Sequence, residues 1–257
     1  MTLVDETPLW IELDGAVNAR VVVPGALLRS DNLQSLSARD VRRLLDDYEL
    51  EVVLDMRTDI ELALEGPGPL TKEPRVRIEH HSLYPSRGHT DLDAETIKPG
   101  TRPWGRDDHG GFPGETPVVR SYLGYMLRRP DSVVGAVREI ARADGAVLVH
   151  CAAGKDRTGT VVALALDAAG VPRELIVEDY LVTGERIEQI LERLRGSETY
   201  RAELEGHDPR RHAPVEGTIE RLLELVDSEH GGAAEWLLAN GLTEHELELL
   251  RGRLLQP

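Results

Sequence analysis

Nine consecutive residues, Cys151-Ala152-Ala153-Gly154-Lys155-Asp156-Arg157-Thr158-Gly159, combine a nucleophile, a flexible loop and a planar cation. Small side chains and a glycine let the backbone curl so that successive N–H groups point into one concavity, a nest for an anion. The helix that follows adds its positive N-terminal end. A cysteine in such a field can have its thiol pKa lowered from about 8.5 into the range of about 3.5–7.5, which supplies a thiolate at neutral pH. Cys151 is therefore a nucleophile aimed at whatever anion the nest holds. Arg157, six residues on, can fold back so that its fork grips two oxygens of that anion and stays with them as charge shifts. Thr158 is placed to donate its hydroxyl to the sulfur, which would stabilise the thiolate before attack and again when it departs. The anion-binding set is Ala152, Ala153, Gly154, Lys155, Asp156 and Arg157. A nucleotide triphosphate site is excluded by spacing, because G-x-x-x-x-G-K-[ST] would need glycine at 149 and Ser or Thr at 156, where Val149 and Asp156 stand.

The loop needs elements to position it, and the flanking sequence provides them. Ala146-Val147-Leu148-Val149 reads as a buried strand, and Thr158 to Ala169 as an apolar helix ended by Gly170 and Pro172. Strand, loop and helix in that order place the loop at the carboxyl end of a strand in an open α/β sheet, where such folds bind ligands. Upstream, Ser37 caps a helix whose apolar face is Val41, Leu44 and Leu45. A strand follows over Glu51 to Asp55, a helical stretch opens at Met56-Arg57-Thr58 toward Leu64, and Val76 to Leu83 is strand-like. From Tyr84 to Thr116 no hydrophobic period survives, the pattern of a long functional loop. Helical pattern resumes at Pro117 and again over Ser132 to Ala143, closed by Gly145. After Arg173 the chain reads as helix: Glu174 to Val182, Glu185 to Leu194, Val215 to Val226, Ala233 to Ala239 and Glu244 to Leu255.

The chain as a whole sets limits. Its 257 residues, 40% hydrophobic, are expected to form one α/β domain over 1–257. A formal net charge of −16 and the lack of a basic stripe argue against nucleic acid as a partner. No stretch approaches the about 20 apolar residues of a membrane span, so stable membrane insertion is not expected and the protein is read as cytoplasmic. The single cysteine, Cys151, excludes an internal disulfide and leaves a choice between buried filler and reactive thiol.

HCAAGKDRTG resembles the C-x5-R signature of the cysteine-dependent protein tyrosine and dual-specificity phosphatases, in the bacterial group with the HCxAGKDRTG form. PGALLRSDNLQSL, VVLDMRTDIELALEGPGPL and ELIVEDYL resemble that group in order and spacing, as does the helical C-terminal half. The resemblance implies a twisted, mostly parallel sheet flanked by helices, hydrolysis of phosphate monoesters through a phosphocysteine, and no metal or other cofactor. It implies a phosphorylated protein, or a phosphoinositide, as substrate. Lys155 and Asp156 resemble a loop pair of the lipid-active members, and residues 185–212 fall where the group carries a helical lid. Two departures stand out. Val21-Val22-Val23-Pro24 follows Arg20 where the family has a Gly-Gly turn, so a hairpin is shortened or absent there. Ser86 stands where the family's general acid, an aspartate, would fall; Asp91 is the replacement chosen, with Asp93 and Asp156 behind it.

Plainer readings stand beside these. Lys155 and Asp156 form an ordinary solvated pair in one reading and contact substrate in the other. His150 orients the loop, since a residue on the preceding strand is poorly placed to reach a leaving group. Asp55 and Arg57 read as a local ion pair before a ligand site. His80 and His81 point to opposite faces of a strand and cannot chelate one metal together. His89, Asp91 and Asp93 read as hydrated loop residues ahead of a metal set.

Overall fold

The computed structural model describes residues 8–85, 97, 112–206 and 208–255. Five strands form one sheet: β1 (Arg20–Val23), β2 (Leu27–Ser30), β3 (Leu50–Asp55), β4 (Arg77–His80) and β5 (Ala146–His150). Their order is β1-β2-β5-β3-β4, antiparallel only between β1 and β2 and parallel elsewhere. β5 lies at the centre, and its neighbours end level with it: Ser30 and Asp55 both pair with His150. The segments after β2, β3 and β5 therefore leave the sheet side by side.

Side chains alternate across the sheet as a pleat requires. Leu27, Val52, Leu54, Val147 and Val149 join the larger apolar cluster on one face, whereas Leu28, Leu50, Val53, Ala146 and Leu148 join the smaller one on the other. The smaller face is covered by α1 (Ala38–Asp46), whose start is fixed by a capping box between Ser37 and Asp40. The larger face packs against α3 (Pro117–Arg128), α4 (Pro130–Arg142) and α5 (Asp156–Ala169), with α6 (Arg173–Val182), α9 (Thr218–His230), α10 (Ala233–Ala239) and α11 (Glu244–Leu254) beyond. α5 is buried on nearly every side, which explains why its sequence is apolar without a polar stripe. α2 (Asp59–Glu65) follows β3, and α7 (Ile187–Gly196) with α8 (Glu198–Leu204) forms a third apolar cluster over the loop after β5.

The mostly parallel sheet flanked by helices agrees with the sequence reading, and the differences have physical causes. Where the sequence left a hairpin shortened or absent, the hairpin is formed, β1 and β2 pairing across the three residues Pro24-Gly25-Ala26. Its strands were not legible because each carries a buried arginine, Arg20 and Arg29, where a strand pattern calls for an apolar residue. α5 starts at Asp156, two residues before Thr158, so Arg157 and Thr158 lie in its first turn. α4 ends at Arg142; Gly145 instead gives room, since a Cβ there would lie 2.6 Å from the Glu49 carbonyl oxygen. α2 starts at Asp59, after Thr58 as its cap, and α9 starts at Thr218.

The two hairpin arginines converge on α6. Arg20 donates through Nε to Asp179 Oδ1 (2.9 Å) and through a terminal nitrogen to the Asp179 carbonyl (2.7 Å), and Arg29 pairs with Asp179 Oδ2. Burial works against the charge of Asp179, but Arg20 and then Arg29 outweigh it and hold the carboxyl below its usual range. Its contribution to stability is thus complete above about pH 4, the ordinary carboxylate range, and is lost as pH falls through the lower folded value. Burial also opposes ionisation of Asp55 and Glu61, whose carboxyls are nonetheless held low, Asp55 by its contacts with His150 and Arg57 and Glu61 by Arg157, whereas Asp31 is pushed up by burial and acts in the opposite sense. Asp179→Ala leaves two guanidiniums without their carboxylate and is expected to cost about 3–5 kcal/mol. Chemical denaturation at pH 7 and at pH 3 checks this: the variant is much weaker at pH 7, and the gap narrows at pH 3.

Candidate active site

The loop after β5 is shaped from outside by its carbonyl groups. The Ala152 carbonyl accepts from the Asn32 N–H (3.0 Å), that of Ala153 from Asn18 Nδ2 (2.9 Å), and that of Gly154 from the second terminal nitrogen of Arg29 (2.7 Å). In a planar trans peptide the next N–H points the other way. The amides of Ala153, Gly154 and Lys155 are therefore turned inward, and the Gly154 N–H donates to Cys151 Sγ at 3.2 Å. Gly154 has φ +67°, and a Cβ on it would lie 2.3 Å from the Ser30 carbonyl oxygen. No other residue fits this turn without displacing β2.

Cys151 lies at the floor of a cleft of ≈ 330 Å³, with Ala152, Ala153, Lys155, Asp156 and Arg157 on the same wall. Tyr84 and Tyr125 form an aromatic side, and Ile187, Leu191, Leu194 and Leu204 of α7 and α8 roof it. Of the sequence-selected loop residues, all but Gly154 and Thr158 line this one cavity. Tyr84 and Tyr125 share a hydroxyl contact of 3.1 Å, and the Arg157 guanidinium carbon lies 5.8 Å from the Tyr84 ring centroid. The structure does not describe residues 86–96, so Ser86, His89, Asp91 and Asp93 lie outside the described residues. Among the described residues, no three His, Cys, Asp or Glu side chains gather in a way that could hold a metal ion.

Arg157 is held by a partner that sequence reasoning missed. Its two terminal nitrogens donate to Glu61 Oε2 (2.5 Å) and Oε1 (2.9 Å), and one also reaches the Met56 carbonyl (3.3 Å). Glu61 is fully buried in the first turn of α2, where it also accepts from the Thr58 N–H as half of a capping box. Burial opposes both charges of this pair; each outweighs the penalty for the other, so Glu61 is held below the carboxylate range and Arg157 stays protonated. The one sequence signal was the Thr58-x-x-Glu61 spacing of that box.

Other expectations fared differently. The bond expected from Thr158 to the sulfur is not made: Thr158 Oγ1 is buried without a hydrogen-bond partner, and the sulfur is served by the Gly154 amide. Lys155 donates to the His212 carbonyl (2.6 Å) and lies 3.5 Å from Asp156 Oδ1, so it is neither a simple solvated pair nor turned wholly to the cleft. Asp156 also accepts from the Tyr122 hydroxyl (2.7 Å), which burial and then the Asp156 charge keep protonated. His150 makes the kind of loop contact expected of it, with Nδ1 3.3 Å from the Cys151 carbonyl and Nε2 3.5 Å from Asp55. Asp55 and Arg57 form the local ion pair expected, at 2.7 Å and wholly buried.

The roof is tied down at its edges. Arg193 of α7 donates to Asp31 Oδ2 (3.2 Å) and to the Asn32 carbonyl (3.2 Å), while Ser197 bonds Glu65.

Residues 13–256 match the tyrosine phosphatase family. The triple specificity protein phosphatase PtpB of Mycobacterium tuberculosis is 34% identical over 200 residues, covering 72% of this chain and 70% of that protein. A tyrosine-protein phosphatase of Nostoc commune is 30% identical over 263 residues, covering 98% of this chain and 82% of that protein. Because the family match takes in the strand, loop and helix that carry Cys151 and Arg157 and runs almost from end to end, this chain belongs to the tyrosine phosphatase family.

Proposed function

We propose that this chain hydrolyses phosphotyrosine in proteins through a phosphocysteine at Cys151. The observation that carries the reading is the set of three carbonyls drawn outward, which leaves three amides facing the cavity where the Cys151 sulfur and Arg157 also lie. In the first step the Cys151 thiolate attacks phosphorus, the phosphorus–oxygen bond to tyrosine breaks, and the departing oxygen takes a proton from an acid. In the second, water attacks phosphorus and gives up a proton, and the phosphorus–sulfur bond breaks with its electron pair on sulfur. Arg157 and the inward amides meet the oxygens on which charge builds. Thr158, whose hydroxyl makes no hydrogen bond in this structure, is the group that would turn to the sulfur as it departs.

The aromatic side formed by Tyr84 and Tyr125 supports a phenyl ring as the group next to the phosphate. PtpB is named for triple specificity, so phosphoserine and phosphothreonine are the secondary substrates of this reading. A phosphoinositide is the weaker alternative, because Lys155, the cation that would meet a second phosphate, is committed to His212 and Asp156. Among the described residues no helix is long and apolar enough to cross a membrane. A cytoplasmic setting fits a lone thiol that must stay reduced.

Cys151→Ser is expected to lower turnover of an aryl phosphate by more than about 10³-fold while phosphate still binds. Acid quenching of the natural protein during turnover, followed by peptide mass spectrometry, should find the phosphoryl group on Cys151. An unmodified Cys151, or a serine variant of near-normal rate, sinks the phosphocysteine. Arg157→Lys is expected to lose about 10²-fold or more in kcat, since a point charge cannot replace the fork.

The acid is assigned to Asp91, with Asp156 as the second candidate because it lines the cleft. Asp91→Asn should leave hydrolysis of an activated aryl phosphate nearly unchanged and slow a phosphotyrosine peptide by about 10²-fold or more. If Asp156→Asn shows that leaving-group dependence and Asp91→Asn does not, the role belongs to Asp156.

A further inference from the structure

A guanidinium can serve as a phosphate clamp only if something fixes its plane, and for Arg157 that task falls to Glu61. Four donors converge on this buried carboxylate. Oε2 accepts from the Thr58 amide (2.7 Å) and from one Arg157 nitrogen (2.5 Å); Oε1 accepts from the other Arg157 nitrogen (2.9 Å) and from the Tyr200 hydroxyl (3.1 Å). Thr58 belongs to the frame after β3. Tyr200 does not: it comes from α8, in the segment that roofs the cleft.

Tyr200 is itself fully buried, packed in the roof's own apolar cluster with Ile190, Leu191 and Leu204. An apolar side chain would fill that place without carrying a hydroxyl that costs free energy unless bonded. Burial, and then the charge of Glu61, push the Tyr200 hydroxyl well above its ordinary range, so it is always a donor. Its bond divides Oε1 between two donors. Without it, the charge on Oε1 would turn wholly to Arg157, and the carboxylate would compete more strongly with phosphoryl oxygens for the guanidinium.

We infer that Tyr200 is a positioning residue for the reaction: its hydroxyl, acting through Glu61, sets the orientation in which Arg157 meets the phosphoryl group, so that the clamp is complete only when α8 is seated. The inference rests on the reading of Arg157 as the clamp. A substrate phosphate therefore meets a cation whose geometry is shared between the sheet frame and the roof, and the contribution is largest in the transition state, where charge on the phosphoryl oxygens is greatest.

The test is Tyr200→Phe, which keeps the ring in its cluster and removes only the hydroxyl. With an aryl phosphate, kcat/KM is expected to fall about tenfold, the scale of one charge-assisted hydrogen bond. The loss should sit mainly in kcat, and the inhibition constant of vanadate, which takes up the geometry of the transferring group, should rise by a similar factor. In a Glu61→Gln background Tyr200→Phe should cost little more, because both act on one path. Unchanged kcat and vanadate inhibition in Tyr200→Phe overturn the inference. So does a change confined to KM and thermal stability, the mark of a roof merely loosened, or a full second loss on top of Glu61→Gln. If Glu61→Gln does not fold, the kcat and vanadate measurements decide alone. Arg157→Lys separates the two levels: near-normal activity there removes the clamp and this inference together, whereas severe loss there with a normal Tyr200→Phe removes only the role of Tyr200.

Discussion

The grip of Arg29 and Asn18 on the carbonyls of Gly154 and Ala153 governs the carboxyl end of the sheet. A loop this short would otherwise present carbonyls and amides to its cavity in alternation, and an anion would meet as much repulsion as attraction. Drawing the carbonyls outward sorts the two kinds of dipole to opposite sides. The arrangement has requirements of its own. Arg29 is almost fully buried and needs Asp179, which in turn brings α6 against the hairpin. Gly154 must have no side chain, because the loop passes directly against Ser30. The hairpin thus carries Arg29 to the outer surface of the loop, and its Arg20 holds Asn18 Oδ1 (2.6 Å) beside it.

The same economy explains how a chain of net charge −16 can receive an anion. Its negative charge is spread over the surface, where solvent screens it. At the ends of β2 and β3 and at the start of α5, arginines are buried beside carboxylates, as Arg29 with Asp179, Arg57 with Asp55 and Arg157 with Glu61. Each pair is close to neutral seen from afar and strongly directional seen from within. For an anion in the cleft, the orientation of these groups counts for more than the net charge of the chain.

The loop, its strand and its helix were legible in the sequence because each follows from a local rule: a β-branched run, a glycine, and an apolar stretch with a glycine stop. The catalytic candidates were legible for the same reason, since Cys151 and Arg157 lie in one short segment. Their supports were not. Glu61 reaches Arg157 across 96 positions and Asp179 reaches Arg29 across 150, and no local pattern encodes such pairs. Buried arginines in β1 and β2 actively hid both strands, because a strand pattern takes a charge as a sign of exposure. Thr158 is the reverse case: its position in the motif suggested a bond to sulfur, while the first turn of α5 leaves its hydroxyl without a partner.

Cys151 is almost inaccessible, is bonded through sulfur to a main-chain amide, and is the only cysteine in the chain. An oxidised sulfur here has no resolving thiol in its own molecule, so the damage cannot be parked as an internal disulfide and undone by a protein reductant at the surface. Recovery from a sulfenic acid has to come from a thiol small enough to travel down the cleft between the tyrosines and the leucines of the roof. The dimensions of that passage therefore bear on how readily the protein recovers from oxidation.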